Sequence, residues 1–216
     1  MRVLVGCESS GVVRDAFIAA GHDAISCDLL PTEAPGPHHQ GDVRDILAAG
    51  FDLAVFHPPC TYLSSSGLHW NHRTPGRAAK TEEGLALVRD FMAAPIARIA
   101  IENPIGCIGT RIRPADQTVQ PYEFGDDASK ATCLWLKGLS PLVSTTRFPG
   151  RIATDPRNGK TVERWSNQTD SGQNRIGPSA DRWKLRSVTY PGIAAAMADQ
   201  WGNPDAALPL LQRMTA

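Results

Sequence analysis

Apolar and polar positions follow two rhythms along this chain. Short apolar runs bounded by turn residues recur, and between them lie stretches whose apolar residues return every three or four positions. Met1-Arg2-Val3-Leu4-Val5-Gly6 reads as a buried strand, and residues 11–21 as a helix closed at its C-terminus by Gly21. Residues 24–28 predict a second strand ending on Asp28, after which Pro31, Pro35, Gly36 and Pro37 force a loop. Residues 52–56 predict a third strand, residues 81–92 a helix, residues 96–101 a fourth strand, and residues 193–201 a last helix behind Pro191. Strands alternating with helices predict an α/β fold with a doubly wound, mostly parallel sheet.

From residue 103 to 186 the periodicity weakens and Pro, Gly, Thr and Arg rise, so a loop-rich insertion is expected, with short strands around 131–136. Residues 155–160 carry turn signals that read as a hairpin tip or a mobile loop. The organisation expected is an α/β core over 1–104, a basic, loop-rich region over 105–186 suited to contacting nucleic acid, and a helical closure of the core over 187–216.

Length and composition narrow the class. A chain of 216 residues, 42% hydrophobic, suits one α/β domain, and no repeat is visible. Its five cysteines are scattered without a CxxC pair, and no signal peptide is seen, so a reducing cytoplasm is expected and a structural zinc cluster is not. His38, His39, His57, His69 and His72 lack the cysteine or carboxylate spacing of a metal site, and no metal is expected. The apolar runs are too short to span a bilayer.

Formal net charge is zero, but it is unevenly spread: residues 1–60 hold three Lys/Arg against eight Asp/Glu, and residues 147–186 hold nine against four. Arg147, Arg151, Arg157, Lys160, Arg164, Arg175, Arg182, Lys184 and Arg186, interleaved with Trp165 and Trp183, read either as a solvated surface or as a phosphate-facing strip.

Candidate chemistry gathers where strands end. Gly6-Cys7-Glu8-Ser9-Ser10-Gly11 joins the first strand to the first helix, a place where small residues admit a ligand to the backbone. Asp28, about 20 residues on, suits a ribose diol, and Asp42 an adenine amino group, so a nucleoside-bearing cofactor is expected. His57-Pro58-Pro59-Cys60 follows the third strand; the prolines stop the ladder and present Cys60 among hydroxyl and turn residues, where a thiolate could form. Glu102-Asn103-Pro104 is expected to follow the fourth strand in the same manner, with the Glu102 carboxyl raised in pKa by burial beside a pyrimidine and able to bond or protonate ring nitrogen 3.

In this order, the glycine loop, Asp28, Gly41-Asp42, Pro58-Pro59-Cys60, Glu102-Asn103 and Gln173-Asn174-Arg175 resemble the motifs of the cytosine-5 DNA methyltransferases, in particular short phage or prophage members. The resemblance implies a Rossmann-like, S-adenosylmethionine-dependent fold and cytoplasmic action on DNA, either double-stranded with base flipping or single-stranded. It implies Cys60, Glu102 and Arg175 as catalytic residues, the arginine holding the cytosine carbonyl. Gly6, Cys7, Glu8, Gly11, Asp28, Asp42, Pro58 and Asn203 would hold the cofactor, Asn203 through the loosely similar Gln200-Trp201-Gly202-Asn203. Pro59, Tyr62, Asn103, Gln173 and Arg182 would meet the substrate, and Tyr62 or Trp70 would fill the space a flipped base leaves. The chain departs from the family in its longer glycine loop, in Pro104 where Val is usual, in Ile176-Gly177 where a second arginine is usual, with Arg182 or Arg186 as substitutes, and in having little room for a target-recognition domain. The segment 130–139 resembles stretches of the short members with no role assigned. Two alternatives stay open: a pyrimidine-5 transferase acting on a free nucleotide or with a modified donor, and a nucleic-acid-binding module without catalysis.

Overall fold

Val3, Leu4 and Val5 are all fully buried, as a strand covered on both faces requires. They sit in the middle of the sheet. The structure, a computed structural model, describes residues 1–179 and 182–203; the part of the expected 187–216 segment past residue 203 lies outside the described residues. In chain order the elements are β1 (Arg2–Gly6), α1 (Val12–Ala19), β2 (Asp23–Asp28), β3 (His38–Gln40), β4 (Leu53–Phe56), α2 (Ser65–Leu68), α3 (Arg77–Ala93), β5 (Arg98–Pro104), α4 (Ile108–Arg111), β6 (Gln117–Val119), β7 (Thr132–Lys137), β8 (Arg151–Thr154), β9 (Thr161–Arg164), α5 (Arg182–Ser187) and α6 (Pro191–Gly202).

Seven strands form one sheet in the order β3-β2-β1-β4-β5-β7-β6. The pairs from β3 through β5 are parallel, and β7 runs antiparallel to both β5 and β6. The doubly wound, mostly parallel, Rossmann-like sheet expected from the sequence is the one found. Alternation of side chains divides the core by face. Val3, Val5, Leu53, Val55 and Ala100 pack with Val13, Phe17, Met197 and Trp201 of α1 and α6. Leu4, Ala54, Phe56, Ile99 and Ile101 pack with Leu85, Val88 and Phe91 of α3, where the Phe56 and Phe91 rings stack at 4.2 Å. Among the described residues no helix is long and apolar enough to cross a membrane.

Boundaries differ instructively. Helix α1 stops at Ala19, and Gly21, at φ 85°, closes it with His22 N–H donating to Phe17 O at 3.0 Å and Gly21 N–H to Ile18 O at 2.9 Å. Helix α3 begins one turn before the expected residue 81. The fourth strand runs to Pro104 rather than ending at 101, because β7 lies alongside and pairs Glu102 with Leu134 and Asn103 with Cys133. Glu102 and Asn103 are therefore strand residues, not loop residues. Strand β7 fills the place expected around 131–136, and residues 155–160 form the tip of the β8–β9 hairpin. Strands β6 and β7, both within 105–186, complete the main sheet.

Candidate active site

Chain order places β1 to β3 on one side of the sheet and β4 onward on the other, so the carboxyl ends of β1 and β4 diverge and leave a crevice. A cleft of about 980 Å³ opens there. Cys7, Glu8 and Asp28 enter it from the first half of the sheet, and His57, Cys60, Glu102 and Asn103 from the second. The structure thus brings the glycine-loop residues, the Pro-Pro-Cys residues and the Glu-Asn residues to one cavity. Gly6 is buried against Phe56, where an added Cβ would lie 2.5 Å from the ring. Gly11 takes φ 79°, and Cys7, at φ 58°, is in a conformation costly for a side-chain-bearing residue.

Glu8 is 5% exposed and turned inward. Its carboxylate accepts the backbone N–H of Val13 at 2.7 Å and of Arg14 at 3.3 Å, so the free amides at the start of α1 are capped from within the chain. Asp28 uses Oδ1 to accept Leu30 N–H at 2.9 Å and lines the cleft. Asp42 is not in the cleft lining; it accepts the backbone N–H and the guanidinium of Arg44, which hold its carboxyl below the usual value. Burial pushes the Cys7 thiol far up, with the charge of Asp28 adding to it.

Two contacts tie the ends of β4 and β5 together. Asn103 Nδ2 donates to Pro58 O at 2.7 Å, and His57 Nδ1 lies 2.9 Å from Glu102 Oε2. Burial raises the Glu102 carboxyl, but the His57 hydrogen bond, the Lys130 cation and the Thr132 hydroxyl outweigh it and leave the carboxyl below its ordinary value. The raised value expected from burial is thereby reversed, since a buried acid given a donor and a cation stays ionised. Cys60 begins a short turn of helix and lines the cleft. Burial raises its thiol above the ordinary value, Glu102 adds to this, and Lys130 and Arg186 oppose it. The thiolate that a partly exposed loop would allow is disfavoured at rest by this environment.

The sequence pointed to Arg182 and Arg186 of α5 as substitutes for the family's second arginine, but not to Lys130 or Trp183 as residues of this cleft. Lys130, Arg182, Trp183 and Arg186 all line it, with Trp183 58% exposed. Other candidates lie apart. Gln173 and Arg175 are exposed, and the Arg175 guanidinium donates to Gln168 O at 2.7 Å; their neighbours Asn174 and Ile176 face the cleft instead. Tyr62 is half-buried outside the lining, with Arg77 4.8 Å above its ring, and Pro59 is at the cleft. Asn203 is exposed at the end of α6.

The basic segment is partly neutralised. Arg147 pairs with Glu163, Arg151 with Asp170, Arg157 and Arg164 with Asp155, and Lys184 with Glu33. The Arg157 hydrogen bond holds Asp155 down at about 2. Five of the nine cations that could form a phosphate-facing strip thus have acidic partners among the described residues, and for four of them the partner is Asp155, Glu163 or Asp170 of the same segment.

No protein-family model matches the chain, and no curated protein matches it either. Solved structures similar to it include an E. coli protein described as a DNA modification methyltransferase encoded within a prophage, 13% identical over 63% of this chain and 46% of that one, with a TM-score of 0.41. Another is a methyltransferase of Entamoeba histolytica, 15% identical over 69% of this chain and 58% of that one, with a TM-score of 0.47. The chain spans about half the length of these two structures, 46% and 58%.

Proposed function

We propose that this protein transfers a one-carbon group from S-adenosylmethionine to carbon 5 of a cytosine in DNA, with Cys60 as covalent nucleophile. The observation that carries this reading is the shared cleft: Cys60 and the buried Glu102 open onto the same cavity as the Cys7–Ser10 loop and Asp28, across the divergence of β1 and β4.

The chain's own groups fit that cofactor better than a dinucleotide. A pyrophosphate needs the free amides of a helix N-terminus, and Glu8 already fills those of α1 with a carboxylate. A cationic, phosphate-free nucleoside suits the side of the crevice that Glu8, Asp28 and Glu33 line. Asp28 would take the ribose hydroxyls through its second oxygen, and exposed Leu29 and Leu30 would flank the base. When bound, S-adenosylmethionine supplies an electrophilic methyl group.

Carbon 5 of cytosine is a poor nucleophile until the ring is activated. The Cys60 thiol loses its proton to water, and its sulfur forms a bond to carbon 6, sending the pair of the carbon 5–carbon 6 double bond towards carbon 5. Glu102, held ionised, accepts an N–H at the ring's amino edge and orients the ring for the attack. After carbon 5 has gained the new group, its proton leaves to water, the carbon–sulfur bond breaks, and the double bond returns.

Incubation with S-adenosylmethionine and DNA carrying 5-fluorocytosine tests this. An intact-mass adduct on Cys60, absent in Cys60→Ser, is expected; unmodified wild-type protein together with normal turnover by Cys60→Ser overturns it. The neutralised basic hairpin favours a second reading, in which the same chemistry serves a free pyrimidine nucleotide. Modification of deoxycytidine monophosphate with DNA left untouched would decide for that reading.

A further inference from the structure

His57 has no part in the steps above, yet its ring meets the Glu102 carboxylate at the floor of the cleft. The two side chains are 9% and 8% exposed, with Nδ1 2.9 Å from Oε2. Two neighbours fix the imidazole's position: its own backbone N–H donates to Gly6 O at 2.9 Å, and the next residue, Pro58, accepts from Asn103. The other ring nitrogen, Nε2, is buried with no hydrogen-bond partner among the described residues. A side chain kept only for packing would gain by losing that unmatched polar atom.

We propose that His57 is a positioning residue for Glu102: its Nδ1–H holds Oε2 and leaves Oε1 as the acceptor for a substrate N–H, which for cytosine is the amino group on carbon 4. The assignment of the amino group rests on the cytosine reading of the site; the hold on Glu102 does not. The other groups facing the pair are Lys130 just before β7, Thr132 on β7, and Cys60 beyond β4, with Arg186 at the end of α5 acting on Cys60. Lys130 supplies charge but has its own partner in Arg186 O at 3.0 Å, and the Thr132 hydroxyl donates to Lys130 O at 3.1 Å, so the directional bond to Glu102 comes from His57.

The direction of the pH effect follows. Burial raises the Glu102 carboxyl and the His57 hydrogen bond is the largest influence lowering it. Without that bond Glu102 takes up its proton at a higher pH, and a protonated Oε1 or Oε2 no longer presents a fixed, ionised acceptor. Activity at the acid end should fall further, while the rise towards alkaline pH that Cys60 ionisation sets should stay in place.

The test titrates carbon-13-labelled glutamate carboxyl groups by NMR in the full-length wild type, His57→Leu and His57→Asn, with Glu102→Gln assigning the signal. A pH profile of kcat/KM on cytosine-containing DNA is measured alongside. Asparagine carries an N–H near the place of Nδ1 and leucine carries none. Glu102 should titrate at higher pH in His57→Leu and return towards wild type in His57→Asn; kcat/KM at the acid end should fall about tenfold in the leucine variant and recover in the asparagine one. Should His57→Leu fail to fold, His57→Gln, whose N–H reaches the place of Nε2, carries the same expectation. Identical Glu102 titration in all variants overturns the proposal. If Glu102 moves as expected but the wild type modifies no cytosine in DNA or nucleotide, the positioning role stands and the substrate reading falls.

Discussion

Lys130 Nζ donates to the carbonyl oxygen of Arg186 at 3.0 Å, joining the segment before β7 to the end of α5 beside the Cys60 pocket. Lys130 is also the strongest influence opposing the burial that raises the Cys60 thiol. Alkylation of Cys60 by iodoacetamide should therefore be slow at neutral pH and quicken as the solution becomes alkaline. In Lys130→Met the whole profile should move to higher pH, with several-fold slower labelling near neutrality. Peptide mass spectrometry after timed quenching reads this, and superimposable profiles would remove Lys130 from the account.

Glu8→Ala should destabilise the protein by roughly 2 kcal/mol, because it removes a buried acceptor from two amides of α1. Glu8→Gln keeps an acceptor and should recover part of the loss. Urea denaturation measures both, and an unchanged midpoint for Glu8→Ala would mean that water caps the helix equally well.

Asp28 and Asp42 should part company. Asp28 lines the cleft with one oxygen uncommitted to Leu30, whereas Asp42 is clasped by Arg44 outside the lining. Calorimetry with S-adenosylmethionine should show Asp28→Ala weakening binding by about 1–3 kcal/mol and Asp42→Ala leaving it nearly unchanged. Equal losses in both would mean that Asp42 swings from Arg44 into the site.

The salt dependence of DNA binding should come from α5 rather than from the hairpin. Arg182 and Arg186 line the cleft, while Arg157 is spent on Asp155. Removing Arg182 and Arg186 together should reduce the salt slope by roughly two, and removing Arg157 with Lys160 should change it less. Filter binding across a salt series distinguishes the pairs; a larger effect from the hairpin pair would restore the strip as the phosphate track.

Much of this site was legible because its residues sit next to strong local signals. Val3 to Val5 and Leu53 to Phe56 announce buried strands, and Gly6 and the Pro58-Pro59 pair announce where those strands stop, so Cys7, Glu8 and Cys60 could be put at the carboxyl edge. What was hidden depends on pairing across long separations. Nothing local in Arg98 to Pro104 says that β7, some 30 residues later, will extend that strand past Ile101. The same is true of Lys130 and of the His57–Glu102 contact, made between residues 45 apart. Charge counts left two readings of the basic segment open, since a composition window sees arginines and not the Asp155 or Glu163 carboxylates folded back against them.

Helix α1 rests against α6, and the two are separated by most of the chain. A ribosome adding about 5–20 residues per second would leave Phe17 and Val13 without their α6 cover for roughly 10–35 seconds after α1 has been made. During that interval β1, α1 and β2 can form their local contacts but still present an apolar face to whatever is nearby. Newly made chains interrupted before residue 191 should be the ones that cling to chaperones or to each other, and a shortened product should fail by aggregation rather than by misfolding of the strands it contains.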